Sequence, residues 1–378
     1  MDVQFLGMIG AHEVSEIRAR SGPTVQPGFV RDFARAHERS GFDKVLVGYG
    51  SSTPEGTQLA AFAAAQTERL GFLIAHRPGV VFPTLAARTF ATLDQFTQGR
   101  VAVHIVTGGV DADQRREGDY ETKDARYRRT GEYIEALRLA WNLSDPFDHQ
   151  GEVYRFEGFR SDVRPWQDRE IPVYFGGSSP AAYRVGSGLA DVFMLWGEPL
   201  QETSEQIAAV TAGARAAGRD VPPAFSVSFR PILGATEGEA WDRAHRVLAA
   251  IRASNGGVGA FVSNAALVGG SQRPESVASQ RLLDAAAKGE VHDRALWTPT
   301  AAATNASGNT TALVGTPETV AEALADYAEI GVSQFLVRGF DPLADAVAYG
   351  EELLPRAREA IARRVGGRVG AVGSGVAS

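Results

Sequence analysis

Residues 171–180 read IPVYFGGSSP. A short apolar run ends in two glycines, two hydroxyls and a proline. That is the order of a buried strand, a tight turn and the first residue of a helix. Gly176 and Gly177 let the backbone approach a ligand closely. Ser178 and Ser179 set hydroxyls beside the free N–H groups of a helix starting near Pro180, where the helix dipole favours a phosphate. An ordinary strand-to-helix turn with serine as N-cap carries the same letters. The surrounding chain must decide whether this turn holds an anion.

Working outward, the same strand-then-helix order repeats. Apolar, strand-like runs fall at 3–9, 44–49, 71–77, 100–107, 171–175, 191–196, 224–233 and 334–340. Helical patterns fall at 29–40, 57–68, 83–96, 124–142, 181–189, 200–217, 237–253, 317–330 and 343–364. Alternation of this kind means parallel strands joined by helical crossovers. Eight units predict an α/β fold of the closed (β/α)8 TIM-barrel type. A doubly wound open sheet is the rival, but no glycine-rich nucleotide loop follows the first strand. Three segments exceed a minimal barrel. Residues 147–159, FDHQGEVYRFEGF, alternate like a hairpin before strand five. Residues 255–310, small and polar, read as a lid-like insertion between strands seven and eight, with a short helix near 276–288. The predicted organisation is one domain over 1–364 and a flexible tail over 365–378.

Composition narrows the function. The chain of 378 residues has no cysteine, which excludes disulfides, thiolate metal sites and a cysteine nucleophile and fits a cytoplasmic protein. The N-terminus lacks the pattern of a signal peptide, and no run is long enough for a membrane helix. A net charge of −7 argues against nucleic acid as the main partner. An anionic ligand therefore needs local cations. Barrel sites gather at the C-terminal ends of strands. Those ends carry His12 and Glu16, Tyr49 and Ser51, His76 and Arg77, Thr107 with two glycines, Gly176 to Ser179, Trp196 with Glu198, Arg230, and Arg338 with Phe340. This rim is cationic and aromatic, suited to a planar heterocycle beside an anionic substrate. No carboxylate pair, metal spacing or nucleophile elbow competes with it. His104, inside strand four, reads as a hydrogen-bonded barrel histidine. Arg230 stands in an apolar run and would be a costly buried charge unless an acid or anion meets it.

Several stretches carry a family likeness in order: FLIAHRPGVVFPTLAARTFATLDQFTQGR (72–100), VAVHIVTGG (101–109), KDARYRRTGEY (123–133), PVYFGGSSPAA (172–182), MLWGEP (194–199) and TALVGTPETVAEAL (311–324). Over roughly residues 1–364 the chain resembles the bacterial luciferase-like flavin monooxygenases, and among them the alkanesulfonate monooxygenase group. The resemblance implies reduced FMN at the strand ends. Its phosphate would lie at Gly177, Ser178 and Ser179 with Lys123 and Tyr127, and Arg77 and Thr107 would border the flavin ring. It also implies an NAD(P)H:flavin reductase that supplies FMNH2, dioxygen as co-substrate, a sulfonate cleaved to aldehyde and sulfite, and a homodimer or homotetramer. The residues expected to serve catalysis are Arg230, His12, Trp196 and Arg338.

The substrate end departs from that group. Where the alkanesulfonate enzymes show Arg and His spaced by one, this chain has Ser228 and Arg230; a Tyr becomes Phe340 and a Cys becomes Thr53. An arginine expected before TALVG is replaced by the neutral NASGNT stretch. Other organosulfur or non-sulfur substrates, use of the deazaflavin F420, and a non-catalytic flavin-binding protein are the alternative readings.

Overall fold

The computed structural model describes residues 3–167, 170–254 and 273–371. Eight parallel strands form a ring: β1 (Gln4–Ile9), β2 (Lys44–Val47), β3 (Gly71–His76), β4 (Val101–Ile105), β5 (Val173–Gly176), β6 (Val192–Trp196), β7 (Ala224–Leu233) and β8 (Val332–Val337). Each pairs with the next and β8 pairs with β1, which closes the expected (β/α)8 barrel. The crossovers use α1 (Pro27–Arg39), α2 (Gly56–Ala64), α3 (Pro83–Thr97), α4 (Lys123–Asn142), α5 (Pro180–Leu189), α6 (Leu200–Ala216), α7 (Glu237–Ala253), α8 (Val277–Lys288) and α9 (Pro317–Glu329), and α10 (Leu354–Ala371) follows the ring. Proline opens α1, α3, α5 and α9, where a missing N–H costs nothing.

Strand alternation sorts the side chains. Leu6, Leu73, Ala102, Tyr174, Met194 and Leu336 fill the lumen. Their neighbours, among them Phe5, Phe72, Val103, Phe175, Val227 and Phe335, pack outward against the helices. By this parity Trp196, Ser228, Arg230 and Arg338 face inward at the upper, C-terminal end.

The insertions are more structured than their composition predicts. The hairpin forms as Phe147–Gln150 against Arg155–Phe159. Of the segment 255–310, the described part is folded onto the barrel rather than forming one long loop. Ser276 caps α8, a short hairpin pairs Val291–His292 with Leu296–Trp297, and Pro299–Ala303 adds a helical turn. Leu296–Trp297 then pairs with Ala312–Gly315, a strand too short to read among its small polar neighbours. That strand lies parallel to Arg230–Leu233, the upper part of β7, after β7 has left the ring. The remaining lid residues, 255–272, lie outside the described residues.

The helix after the ring runs into the stretch expected as a flexible tail. α10 continues through Ala371, since extending a formed helix is far cheaper than starting one; residues 372–378 lie outside the described residues. The single helix expected at 343–364 is broken: Pro342–Ala348 passes through a π turn at Tyr349–Leu353 before α10. Pro355 has no N–H to give, and the ladder shifts by one residue there. No helix among the described residues is long and apolar enough to cross a membrane.

Candidate active site at the strand ends

The turn between β5 and α5 is built as an anion cradle. Ser179 is the N-cap, its Oγ accepting from the Ala182 N–H at 3.2 Å. Among the described residues, the N–H groups of Gly177, Ser178, Ser179 and Ala181 find no acceptor. Gly177 has φ +143°, and a Cβ there would stand 2.7 Å from the Ala182 Cβ and 3.4 Å from the Tyr127 hydroxyl. A side chain would fill the cradle. Ser178 and Tyr183 both donate to Gln206 Oε1 at 3.0 Å, while the buried Gln206 Nε2 has no partner among the described residues. Tyr127 and half-buried Lys123 lie four residues apart on α4, hence on one face. Burial pushes the Tyr127 phenol up, against the opposing pull of Ser179 and Arg126. Free amides at a helix N-terminus, hydroxyls, a phenol and an ammonium suit a doubly charged phosphate, so these residues fit the phosphate of FMN.

At β3 and β4 the expected ring-bordering residues are already engaged. Arg77 donates to Asp113 at 2.6 Å and pairs with Glu117, and its guanidinium lies 4.6 Å from the Tyr49 ring centre. Tyr49 donates to Glu117 and Ser51 to Asp113, each at 2.5 Å. Burial raises the Asp113 carboxyl, but Ser51 and Arg77 outweigh it and hold it below its ordinary range. This network pins the short helix Asp111–Arg115 over the rim. Thr107 bonds Thr130 of α4 at 3.1 Å, so its hydroxyl turns toward the helix layer. His76 faces outward and meets the Tyr133 hydroxyl at 2.7 Å. His104 lies in the lumen, where burial drives its imidazole down to about 4. Contrary to the expected hydrogen-bonded histidine, its Nδ1 has no partner among the described residues.

On the opposite rim, β7, β8 and the loop after β1 bring together Glu16, Arg230 and Arg338. Arg230 donates to both Glu16 oxygens at 2.7 and 2.8 Å, to the Gly339 carbonyl at 2.9 Å and to the Arg338 carbonyl at 3.0 Å. The Phe340 ring centre lies 3.9 Å from its guanidinium. The acid demanded by a buried Arg230 is thus Glu16, and four of the five Arg230 N–H donors are engaged by protein groups. Burial raises the Glu16 carboxyl, but the charges of Arg230 and Arg338 outweigh it and hold it at about 2. Arg338 is different. Its Nη2 reaches Glu16 at 3.3 Å and the Asn309 carbonyl at 3.2 Å, while Nη1 has only the Met8 sulfur at 3.9 Å. Burial and the neighbouring Arg230 lower it to about 10. Of the two expected arginines, Arg338 has the more donors to spare.

His12 completes this side. Its Nδ1 lies 2.7 Å from the Thr24 carbonyl, which can only accept, so Nδ1 carries the proton. Its buried Nε2 has no partner among the described residues. Trp196 packs against the cluster of Leu282, Ala301 and Ala306, so α8 roofs the β6 end. Arg281 of α8 holds Glu198 through three contacts of 2.6–3.0 Å. At the other end of the same segment, Glu275 accepts from the Asp111 N–H at 3.3 Å. The folded insertion therefore spans from the β4 loop to β6, around the cradle.

Asn309, Gln206 and the Asp113–Glu117 pair carry no local signal and were missed by sequence reasoning. Asn309 donates to the Ser228 carbonyl at 2.6 Å and accepts from the Gly197 N–H at 3.2 Å, stapling the insertion to two strand ends. Glu16 was visible at the end of strand one, but not its partner. Among the described residues no cluster of side chains has the make-up of a metal site.

The end of the fifth strand of this (β/α)8 barrel thus presents amides and hydroxyls of the kind that suit an anionic ligand. The chain belongs to the luciferase-like monooxygenase family, which it matches over residues 8–334. Among solved structures it is similar to riboflavin lyase RcaE, determined with modified FMN and its substrate riboflavin. That likeness has 20% identity and a TM-score of 0.78, and covers 95% of this chain and 92% of that one. The EDTA monooxygenase EmoA from Chelativorans sp. BNC1 aligns at 16% identity and a TM-score of 0.73, covering 97% of this chain and 98% of that one. An F420-dependent secondary alcohol dehydrogenase, bound to an F420–acetone adduct, aligns at 19% identity and a TM-score of 0.67, covering 95% and 100%. At such identities the structural likeness establishes a shared barrel.

Proposed function

We propose that this protein is the oxygenating component of a two-component system. It would take FMNH2 from an NAD(P)H:flavin reductase, use dioxygen, and act on an organosulfur anion, with a sulfonate as the leading substrate. The observation that carries the reading is the β5–α5 cradle, with its unpaired amides and a Gly177 that no side chain can replace without filling it. Gly177, Ser178, Ser179, Tyr127 and Lys123 hold the phosphate. Bound reduced FMN supplies the two electrons that activate dioxygen. One oxygen atom enters the substrate at the carbon bearing sulfur and the other leaves as water; the C–S bond breaks to give aldehyde and sulfite. Arg77, Thr107 and their partners keep the β3–β4 rim rigid beside the ring. Arg338 binds the anionic head, Arg230 braces it through Glu16, and His12 Nε2 accepts a proton. Trp196 and α8 exclude water. A homo-oligomer belongs to the same reading.

Equilibrium titration with FMN, riboflavin and F420 tests the cofactor assignment. Tight FMN binding with riboflavin at least tenfold weaker supports it, because the cradle reads the phosphate. The likeness to an F420-dependent dehydrogenase favours a second reading, F420-dependent oxidoreduction, which tight F420 binding with weak FMN binding would support. FMN binding without turnover on any organosulfur or other organic substrate would leave a non-catalytic flavin-binding protein.

A further inference from the structure

A phosphate monoester carries a charge of about −1.5 to −2 at neutral pH. At the β5–α5 cradle Lys123 supplies one positive charge against it. Arg126 is also on α4, but it is committed elsewhere. It donates to Asp111 at 2.7 Å and to the Glu121 carbonyl at 2.6 Å. A dianion seated at the cradle therefore calls for a second cation.

The insertion brings one. Glu198 follows the end of β6 and is fully buried, and its carbonyl accepts from Thr203 at 3.1 Å and from Tyr327 at 2.7 Å. Thr203 lies about one turn before Gln206 on α6, and Gln206 accepts from Ser178 and Tyr183 of the cradle. The Glu198 carboxylate is thereby held on the α6 side of the cradle. A buried acid needs a partner. Burial pushes its carboxyl up, and Arg281 of α8 pulls against that. Arg281 Nε and Nη2 meet the carboxylate at 2.6–3.0 Å. Its Nη1 has no partner among the described residues, and its side chain is 30% exposed. The planar guanidinium is thus fixed along one edge and open along another. Its charge reaches the cradle. The Tyr183 phenol is pushed up by burial, pulled down by Arg281 and pushed up again by Glu198.

We propose that Arg281 is a second phosphate-binding cation of this site, and that Glu198 is the residue that positions it. Nη1 donates to a phosphate oxygen while Nε and Nη2 stay on Glu198. The cation arrives on α8, the helix that roofs Trp196, so a seated phosphate and a docked roof stabilise each other. The inference rests on the reading of the cradle as the seat of the FMN phosphate, and adds to it a ligand from outside the barrel.

The test titrates the full-length protein with FMN and with riboflavin. The native protein is expected to bind FMN at least about tenfold tighter. Arg281→Met is expected to weaken FMN about tenfold and riboflavin by under about twofold. That variant strands Glu198, so Arg281→Met/Glu198→Gln is measured beside it, with melting temperature checking that both fold. The double variant is expected to show the same loss of FMN preference. Lys288→Met removes the other cation of α8, which pairs with Glu202 at 2.7 Å, and is expected to leave the preference unchanged. A native preference that persists in both Arg281 variants overturns the assignment and leaves the cradle reading standing. A preference restored by the added Glu198→Gln also overturns it, because the loss then belongs to the stranded acid. An equal loss in Lys288→Met overturns it as an effect of helix docking alone. Equal affinity for the two flavins in the native protein overturns the phosphate seat, and Arg281 with it.

Discussion

Arg230 and Arg338 show how far a residue type can be read and where reading stops. The apolar run around Arg230 demanded an acid or an anion. Glu16 meets that demand from 214 positions away, through a contact that exists only once the barrel has closed. Sequence reasoning weighted Arg230 as the working group, whereas the structure leaves Arg338 with open donors. Breaking a buried pair strands a charge, so Glu16→Gln is expected to destabilise the fold by about 3 kcal/mol or more in urea denaturation. The acid dependence has a definite sign. The Glu16 carboxyl sits at about 2 in the fold against an ordinary 4.5. Its contribution is therefore complete above pH 4.5 and is lost as pH falls toward 2. The stability gap between native protein and Glu16→Gln should shrink over that window; a constant gap would mean that the pair is not the source.

At the scale of elements, the β5–α5 unit was legible because its signals are local: an apolar run, two glycines, a capping serine and Pro180. The rest of the cradle was not. Gln206 comes from the next helix, and Tyr127 was placed there through the family resemblance. Likewise Ala312–Gly315 is four residues long and becomes a strand only beside the upper part of β7. Helix α8 was placed correctly because Ser276 and its helical pattern are local, yet its docking depends on Glu198, far away in sequence. Ser179→Ala removes the cap from the Ala182 N–H and one hydroxyl from the cradle. It is expected to cost about 1 kcal/mol of stability, and to weaken FMN about tenfold while leaving riboflavin nearly unchanged. Equal losses for the two flavins would show that the turn does not hold the phosphate.

At the scale of the whole molecule, the barrel was readable because parallel strands covered on both faces must be apolar throughout, and eight such runs alternate with helices. The early end of the β1–β8 ladder at Leu6–Leu336 was not readable, since strand composition does not show where a ladder stops. In three histidines of the fold, His37, His76 and His104, desolvation drives the imidazole down to about 4. They stay neutral in the fold but protonate near 6.5 when unfolded. Stability is thus complete above pH 6.5 and declines as pH falls toward 4. The melting temperature should drop across that interval, well before Glu16 titrates; a flat profile would contradict the buried, neutral assignment.

The central claim, a barrel that uses reduced FMN and dioxygen on an organosulfur anion, meets its most direct test in sulfite release. The protein is mixed with a flavin reductase, NAD(P)H, FMN and a panel of alkanesulfonates that carry hydrogen on the carbon bearing sulfur, from methanesulfonate to longer chains. The account predicts sulfite formation that requires FMN and air together and falls with Arg338→Met. Oxidation of a substrate by F420 without dioxygen, with no sulfite in the FMN system, would contradict it.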